Sequence, residues 1–264
     1  MNLKLIGKTA LVTGSTAGIG LAIAESLVAE GANVVLNGRT RERVEAAVLT
    51  VKAGFPDIRI TGVVADLSTP EGADKVTDGI SDVDILVNNM GIFEPKPFEQ
   101  ITDEDWLRLF EANVMSGVRL SRFYLPKMKV KNWGRIVFIS SESGVQIPSE
   151  MVHYGMTKSA QIAIARGMAE TTAGTKVTVN SVLPGPTSSE GVSTFVDQMA
   201  AEQNVTKEQM EKQFFETARP SSLLKRFIDP KEIGDVVAFV CSPLASAING
   251  AAVRADGGVI RSMV

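Results

Sequence analysis

Cysteine and histidine are nearly missing from this sequence: one of each, Cys241 and His153, in 264 residues. A lone thiol cannot build an intrachain disulfide framework. One histidine far from one cysteine gives no His/Cys metal site. Cys241 closes the apolar stretch Val236–Cys241 and reads as a small buried side chain. An excess of one charge sign is missing as well. Lys plus Arg number 27 against 30 Asp plus Glu, a net charge of −3, so nothing draws the whole chain to nucleic acid or an anionic membrane. Lys127, Lys129 and Lys131 form the only dense basic cluster, and alternating lysines near a helix end read as a solvated face. No apolar run reaches membrane-spanning length, because Ile233–Val253 is interrupted by Asp235, Pro243 and Asn249. The N-terminal residues lack a charged leader, long apolar segment and cleavage site. The expectations are no nucleic-acid partner, no membrane and a cytoplasmic location.

What is present is a regular alternation of short β-rich runs with longer helical patterns. Strand candidates are Thr9–Thr13, Asn33–Asn37, Ile58–Val64, Val83–Val87, Arg135–Ser140, Val177–Leu183 and Ala251–Ala255. Most are near-continuous apolar runs, as parallel strands covered on both faces require. Between the first two, Ile19, Ala22, Ile23 and Leu27 follow the stripe of one buried helix face. Repeated βα units argue for a doubly wound parallel sheet. No linker or repeat divides residues 1–264, which read as one dinucleotide-binding catalytic domain. Residues 187–222 break the rhythm: polar, without strand character, with two amphipathic helices. Val192, Phe195, Val196 and Met199 share a face of the first, and Met210 and Phe214 of the second, which Thr206 and Gln209 can cap. An insertion at the C-terminal end of a strand sits where open α/β sheets bind ligands. It reads as a substrate lid, with a subunit-packing arm as the alternative.

The first strand runs into Thr13-Gly14-Ser15-Thr16-Ala17-Gly18-Ile19-Gly20. Glycines there let the backbone turn and approach a pyrophosphate, to which the next helix offers free N–H groups. An NAD site usually places a carboxylate near the end of the second strand. Here the chain reads Val35-Leu36-Asn37-Gly38-Arg39-Thr40-Arg41. Arg39 can fork onto a 2′-phosphate instead, so NADP(H) is the preferred cofactor and NAD(H) the second option. The bland account is that Arg39 and Arg41 begin a solvated helix. Exchanging Gly38 for Asp and Arg39 for Ala is the pair expected to shift preference to NAD(H).

Beyond the fifth strand stand Ser140-Ser141, and thirteen residues past Ser141 comes Tyr154-Gly155-Met156-Thr157-Lys158. Residues four apart on a helix address one ligand together. An ammonium beside the tyrosine should lower its pKa from about 10. Protonated, that tyrosine can give its proton to a carbonyl oxygen, which Ser141 would hold by a hydrogen bond.

In order and spacing, Thr13–Gly20, Asn88-Asn89-Met90-Gly91, Asn113, Ser141, Tyr154/Lys158, Pro184-Gly185 and the closing Gly250–Gly258 resemble the short-chain dehydrogenase/reductase family. The resemblance implies a Rossmann-type fold with a seven-stranded parallel sheet and helices on both faces. It implies Tyr154 as acid/base, Ser141 as substrate-oxygen donor, and Lys158 on the nicotinamide ribose. Asn113 would hold a water in a proton relay through Lys158. It further implies Gly14, Ser15, Thr16, Gly18, Ile19 and Gly20 around the pyrophosphate. Asp66 and Leu67 would lie at the adenine, Asn88 and Gly91 along the dinucleotide. Pro184, Gly185 and Thr187 would lie at the nicotinamide. Met90 stands where the family usually has alanine. The partners implied are a small carbonyl or alcohol substrate and further copies of the chain, a homotetramer or a homodimer.

Three residues invite more than one account. His153 reads as a pocket-rim or interface residue rather than a catalytic one. Glu142 either faces the substrate or is a solvated carboxylate. Arg219 either meets an acidic substrate group or is a surface arginine. Ser141 lacks a histidine–carboxylate partner set, so a hydrolase triad is not supported. The activity expected is interconversion of a carbonyl and a secondary alcohol. A 3-oxoacyl thioester reductase is the alternative within the class, and a non-catalytic dinucleotide sensor the one outside it.

Overall fold

A computed structural model describes residues 2–203 and 205–263, apart from the side chains of Phe195 and Glu202. Seven apolar runs become strands: β1 (Thr9–Val12), β2 (Asn33–Gly38), β3 (Ile60–Val64), β4 (Ile85–Asn88), β5 (Gly134–Ile139), β6 (Val177–Pro184) and β7 (Ala252–Ala255). They form one all-parallel sheet in the order β3-β2-β1-β4-β5-β6-β7. All seven expected strands are present. The third starts later than its apolar run, because the Ile58 N–H turns back onto the Phe55 carbonyl.

The chain winds outward from β1 to β3, then crosses to β4 on the other side of β1. That reversal opens a crevice at the carboxyl ends of β1 and β4, where open α/β sheets take ligands. Helices cover both faces. On one, α1 (Gly18–Ala29), α2 (Arg41–Gly54) and, late in the chain, the helix Pro230–Val240 bury Ile23, Leu27, Val51, Ile233 and Val237 against the sheet. Burying each such side chain contributes on the order of 2 kcal/mol. On the other, α3 (Pro70–Gly79) and two further helices supply Val76, Leu120, Tyr124, Met128 and Ala165.

Those two helices position the site. α4 (Asp103–Phe110) passes through a π-helical turn, Glu111–Met115, into α5 (Ser116–Lys131), and α6 spans Val152–Glu170. Thr102 and Asp105 close a reciprocal capping box at the start of α4. After β6 come α7 (Glu190–Glu202) and α8 (Lys207–Thr217), and α9 is the helix Pro230–Val240. The two amphipathic helices and the Thr206–Gln209 capping box are as expected. Val196, Ala200 and Met210 form their private core, flanked by Val192, Met199 and Phe227. Phe195, expected on that face, has a side chain outside the described residues. On α8 the buried phenyl is Phe215, while Phe214 stays partly open. Arg43 on α2 pairs with Glu190 at 2.6 Å and ties the start of α7 to the first half of the sheet. Among the described residues, no helix is long and apolar enough to cross a membrane.

Candidate active site

The turn after β1 is shaped for close approach. Gly18 has φ +55°, and a Cβ on Gly20 would stand 2.4 Å from the Gly14 carbonyl oxygen and 2.5 Å from Asn89 Nδ2. Ala17, at the N-cap of α1, offers no side-chain cap, and the helix carries no acidic residue in its first turn. Its leading N–H groups and dipole are therefore open to an anion. Ile19 lines the cavity above it. Ser15 turns its side chain inward and leaves its backbone at the turn: fully buried, its hydroxyl donates to the Val12 carbonyl at 2.7 Å and accepts from Asn37 N–H. It shapes the turn, and Thr16, partly exposed, is the side chain left at its surface.

Arg39 is exposed and makes no hydrogen bond or ion pair among the described residues. Asp66, also exposed, is held below the usual carboxylate range chiefly by the Ser68 hydroxyl, with Arg39 as a lesser cause. A free guanidinium at the end of β2 suits a phosphate. Leu67 points elsewhere, fully buried in the core, so only its backbone could meet an adenine. Asn88 also turns inward: its Nδ2 donates to Ser121 on α5 at 3.1 Å. The neighbour, Asn89, faces the crevice. Its Nδ2 donates to the carbonyls of Thr13 and Gly14 at 2.9 and 3.0 Å, and Thr13 Oγ1 accepts the N–H groups of both Asn89 and Met90. Asn89 is thus the residue that clamps β4 to the glycine turn, one position from the asparagine the sequence singled out.

At the carboxyl end of β5 the chain makes a short turn in which Ser141 Oγ accepts the Ser143 N–H at 3.1 Å. Ser141 and Tyr154 both line the cavity here, and the serine hydroxyl draws the phenol's pKa downward. Lys158, one helical turn along α6, is buried, and its Nζ donates to the Ile139 carbonyl at 2.8 Å and to Gln161 Oε1 at 3.2 Å. Burial dominates both ionisations. It pushes the Tyr154 phenol up to about 12 against the downward pull of Ser141, and it pulls Lys158 down to about 7. Burial outweighs the lowering expected from the lysine, whose Nζ stands 5.6 Å from the tyrosine ring centroid and donates to Ile139 and Gln161 instead.

Asn113 lies in the π turn and is buried. Its amide is fully engaged, donating to Ile92 O and Thr157 Oγ1 and accepting Ile92 N–H at 2.7 Å. Its backbone carbonyl accepts Gln161 Nε2 at 2.5 Å. Pro184, Gly185 and Thr187 line the same cavity at the end of β6, where a Cβ on Gly185 would meet the Asp256 carbonyl at 2.4 Å. Gly91 passes beside Lys158 Nζ.

The cavity over this floor measures about 660 Å³. Its outer wall is apolar, from Phe93, Met151, Val192, Met199, Phe214 and Phe227. The Phe93 ring meets the Tyr154 ring edge-on at 6.2 Å. Glu142 and Arg219, both at the wall, are neither solvated nor at the surface. Arg219 is only 8% exposed, and it donates through Nε to Glu142 at 2.8 Å and through Nη1 to Glu150 at 3.0 Å. Two carboxylates claim this guanidinium, which argues against its recognising an acidic substrate. His153 is fully buried rather than at a rim, packed edge-on to Trp106 at 5.9 Å, with neither ring nitrogen hydrogen-bonded.

Comparison with known proteins fixes the family. The short chain dehydrogenase profile matches residues 8–215. The chain belongs to the short-chain dehydrogenase/reductase family. This short-chain dehydrogenase/reductase is 49% identical over its whole length, and the whole of the relative's, to the uncharacterized oxidoreductase YvaG of Bacillus subtilis. It is 34% identical, over 98% of its length and all of the relative's, to the 3-oxoacyl-[acyl-carrier-protein] reductase FabG of Aquifex aeolicus. Its fold superposes over the full length of both chains, with a TM-score of 0.93 and 30% identity, on L-sorbose reductase from Gluconobacter frateurii, solved with NADPH and L-sorbose. The chain is therefore a Rossmann-type, NAD(P)-dependent oxidoreductase.

Proposed function

We propose that this oxidoreductase is an NADP(H)-preferring carbonyl reductase acting on neutral ketones with an apolar body. The observation that carries the proposal is the convergence of Ser141, Tyr154 and Lys158 at the floor of a cavity whose outer wall is apolar. The glycine turn, the uncapped start of α1 and the unpartnered Arg39 suit a phosphorylated dinucleotide, with Arg39 reading the 2′-phosphate. When bound, that cofactor supplies a hydride to the carbonyl carbon. Ser141 holds the substrate oxygen and Tyr154 gives it a proton, a role that suits a phenol held protonated with a pKa of about 12. Lys158 holds the nicotinamide ribose and, when charged, eases the loss of that proton. The segment 187–222 acts as a lid, its Val192, Met199 and Phe214 closing the substrate in.

The test is consumption of NADPH and NADH across acetoacetyl thioesters, aliphatic and aromatic ketones, diketones, sugars and steroids. Turnover of uncharged ketones with NADPH is the expected result. Exclusive turnover of carrier-bound thioesters would move the assignment to the 3-oxoacyl thioester class. Dinucleotide binding with no turnover of any carbonyl would favour the non-catalytic sensor. We also propose a homotetramer in the cytoplasm, the assembly that the family resemblance implies. Light scattering should then read four times the chain mass.

A further inference from the structure

Tyr154, Lys158 and Gln161 fall at i, i+4 and i+7 of α6, one face of one helix. Gln161 is 1% exposed, and both ends of its amide are engaged. Oε1 lies 3.2 Å from Lys158 Nζ and Nε2 lies 2.5 Å from the Asn113 carbonyl oxygen. The orientation is forced by chemistry: an ammonium can only donate and a carbonyl can only accept, so the amide fits one way round. It joins the lysine to the π turn of the long helix, a local widening that recurs at functional sites.

We propose that Gln161 is a positioning residue of the active site, an amide strut that fixes the Lys158 ammonium against Asn113. The assignment rests on the Tyr154–Lys158 reading of the site. A carboxamide does not readily take up and release protons, so Gln161 holds the lysine rather than passing protons along. With the Ile139 carbonyl it supplies two oxygen acceptors to a cation that burial otherwise drives toward neutrality. Gln161 therefore sets the pH at which the site loses its charge.

The experiment follows turnover of ethyl acetoacetate, or of the best ketone from the panel, against pH. The parent, Gln161→Met and Gln161→Glu are compared, with Tyr154→Phe as control. Across the same range, NADPH affinity is read without turnover by nucleotide fluorescence. The methionine fills the same space without the acceptor, so the alkaline limb should move to lower pH by about one unit. The glutamate places an anion beside the ammonium and should move the limb to higher pH. Opposite displacements are the signature; a residue that merely packs would lower activity or melting temperature without them. Limbs that coincide with the parent's, or move together, would overturn the proposal. Should the methionine variant not fold, the glutamate variant decides alone, its limb moving up or not. A fully active Tyr154→Phe would instead sink the reading of the site, while the pH dependence of NADPH affinity would still judge Gln161.

Discussion

Removing the guanidinium of Arg39 should separate the two dinucleotides. The side chain is exposed and unpartnered, so Arg39→Ala costs the fold little. A hydrogen bond to a charged group contributes about 1.5–3 kcal/mol, and exposure places this one near the lower end of that span. At about 1.4 kcal/mol per decade, NADPH should bind roughly tenfold more weakly. NADH, without the phosphate, should bind as before. The accompanying exchange Gly38→Asp, attractive from sequence, needs Thr16 to shift: its Cβ would stand 2.5 Å from Thr16 Cγ2 and 3.0 Å from Val44 Cγ2. Arg39→Ala alone avoids that rearrangement and gives the cleaner comparison. Fluorescence titration of NADPH and NADH against parent and Arg39→Ala is the assay. Added salt should shrink the difference, as for any exposed ion pair. Equal losses for the two nucleotides, or none for NADPH, would refute the assignment of Arg39 to the phosphate.

Two further perturbations probe the surroundings. Asn89→Ala removes two donors from the Thr13 and Gly14 carbonyls and should destabilise the fold by about 2 kcal/mol. It should weaken dinucleotide binding too, seen as a lower melting temperature and a higher NADPH Kd; normal affinity would show that the turn holds its shape without the clamp. His153 is held below its usual pKa mainly by burial, offset by Asp105 and Glu94, with Arg108 and Lys96 adding to the lowering. The unfolded chain therefore takes up the proton first, and stability is lost as pH falls through about 6.5. His153→Leu should flatten the fall in melting temperature between pH 7 and 5; an unchanged slope would assign acid sensitivity to other groups.

The strands and the glycine turn were legible because parallel strands buried on both faces leave continuous apolar runs, and a tight turn has few chemical solutions. What escaped depended on which way a side chain points or on distant partners. Asn88 and Asn89 differ by one residue at the end of β4, where successive side chains face opposite ways. Only the register shows that Asn88 meets Ser121 and Asn89 the glycine turn. Ser15 likewise sits in a phosphate-binding pattern yet turns into the sheet. Glu142 and Arg219 pair across 77 positions of sequence, beyond any local pattern. The raised phenol and the lowered ammonium follow from burial, which spacing alone does not express. Gln161 carried a signal that went unread: a polar residue on the stripe already marked by Tyr154 and Lys158.

The central claim is that Tyr154 supplies the proton as hydride reaches a ketone. Steady-state reduction of the best ketone by NADPH, parent beside Tyr154→Phe, tests it most directly. The phenyl ring keeps the packing against Phe93 and removes only the hydroxyl, so turnover should fall by about 10²–10⁴ while the NADPH Kd stays the same. Undiminished turnover in the variant would contradict the account.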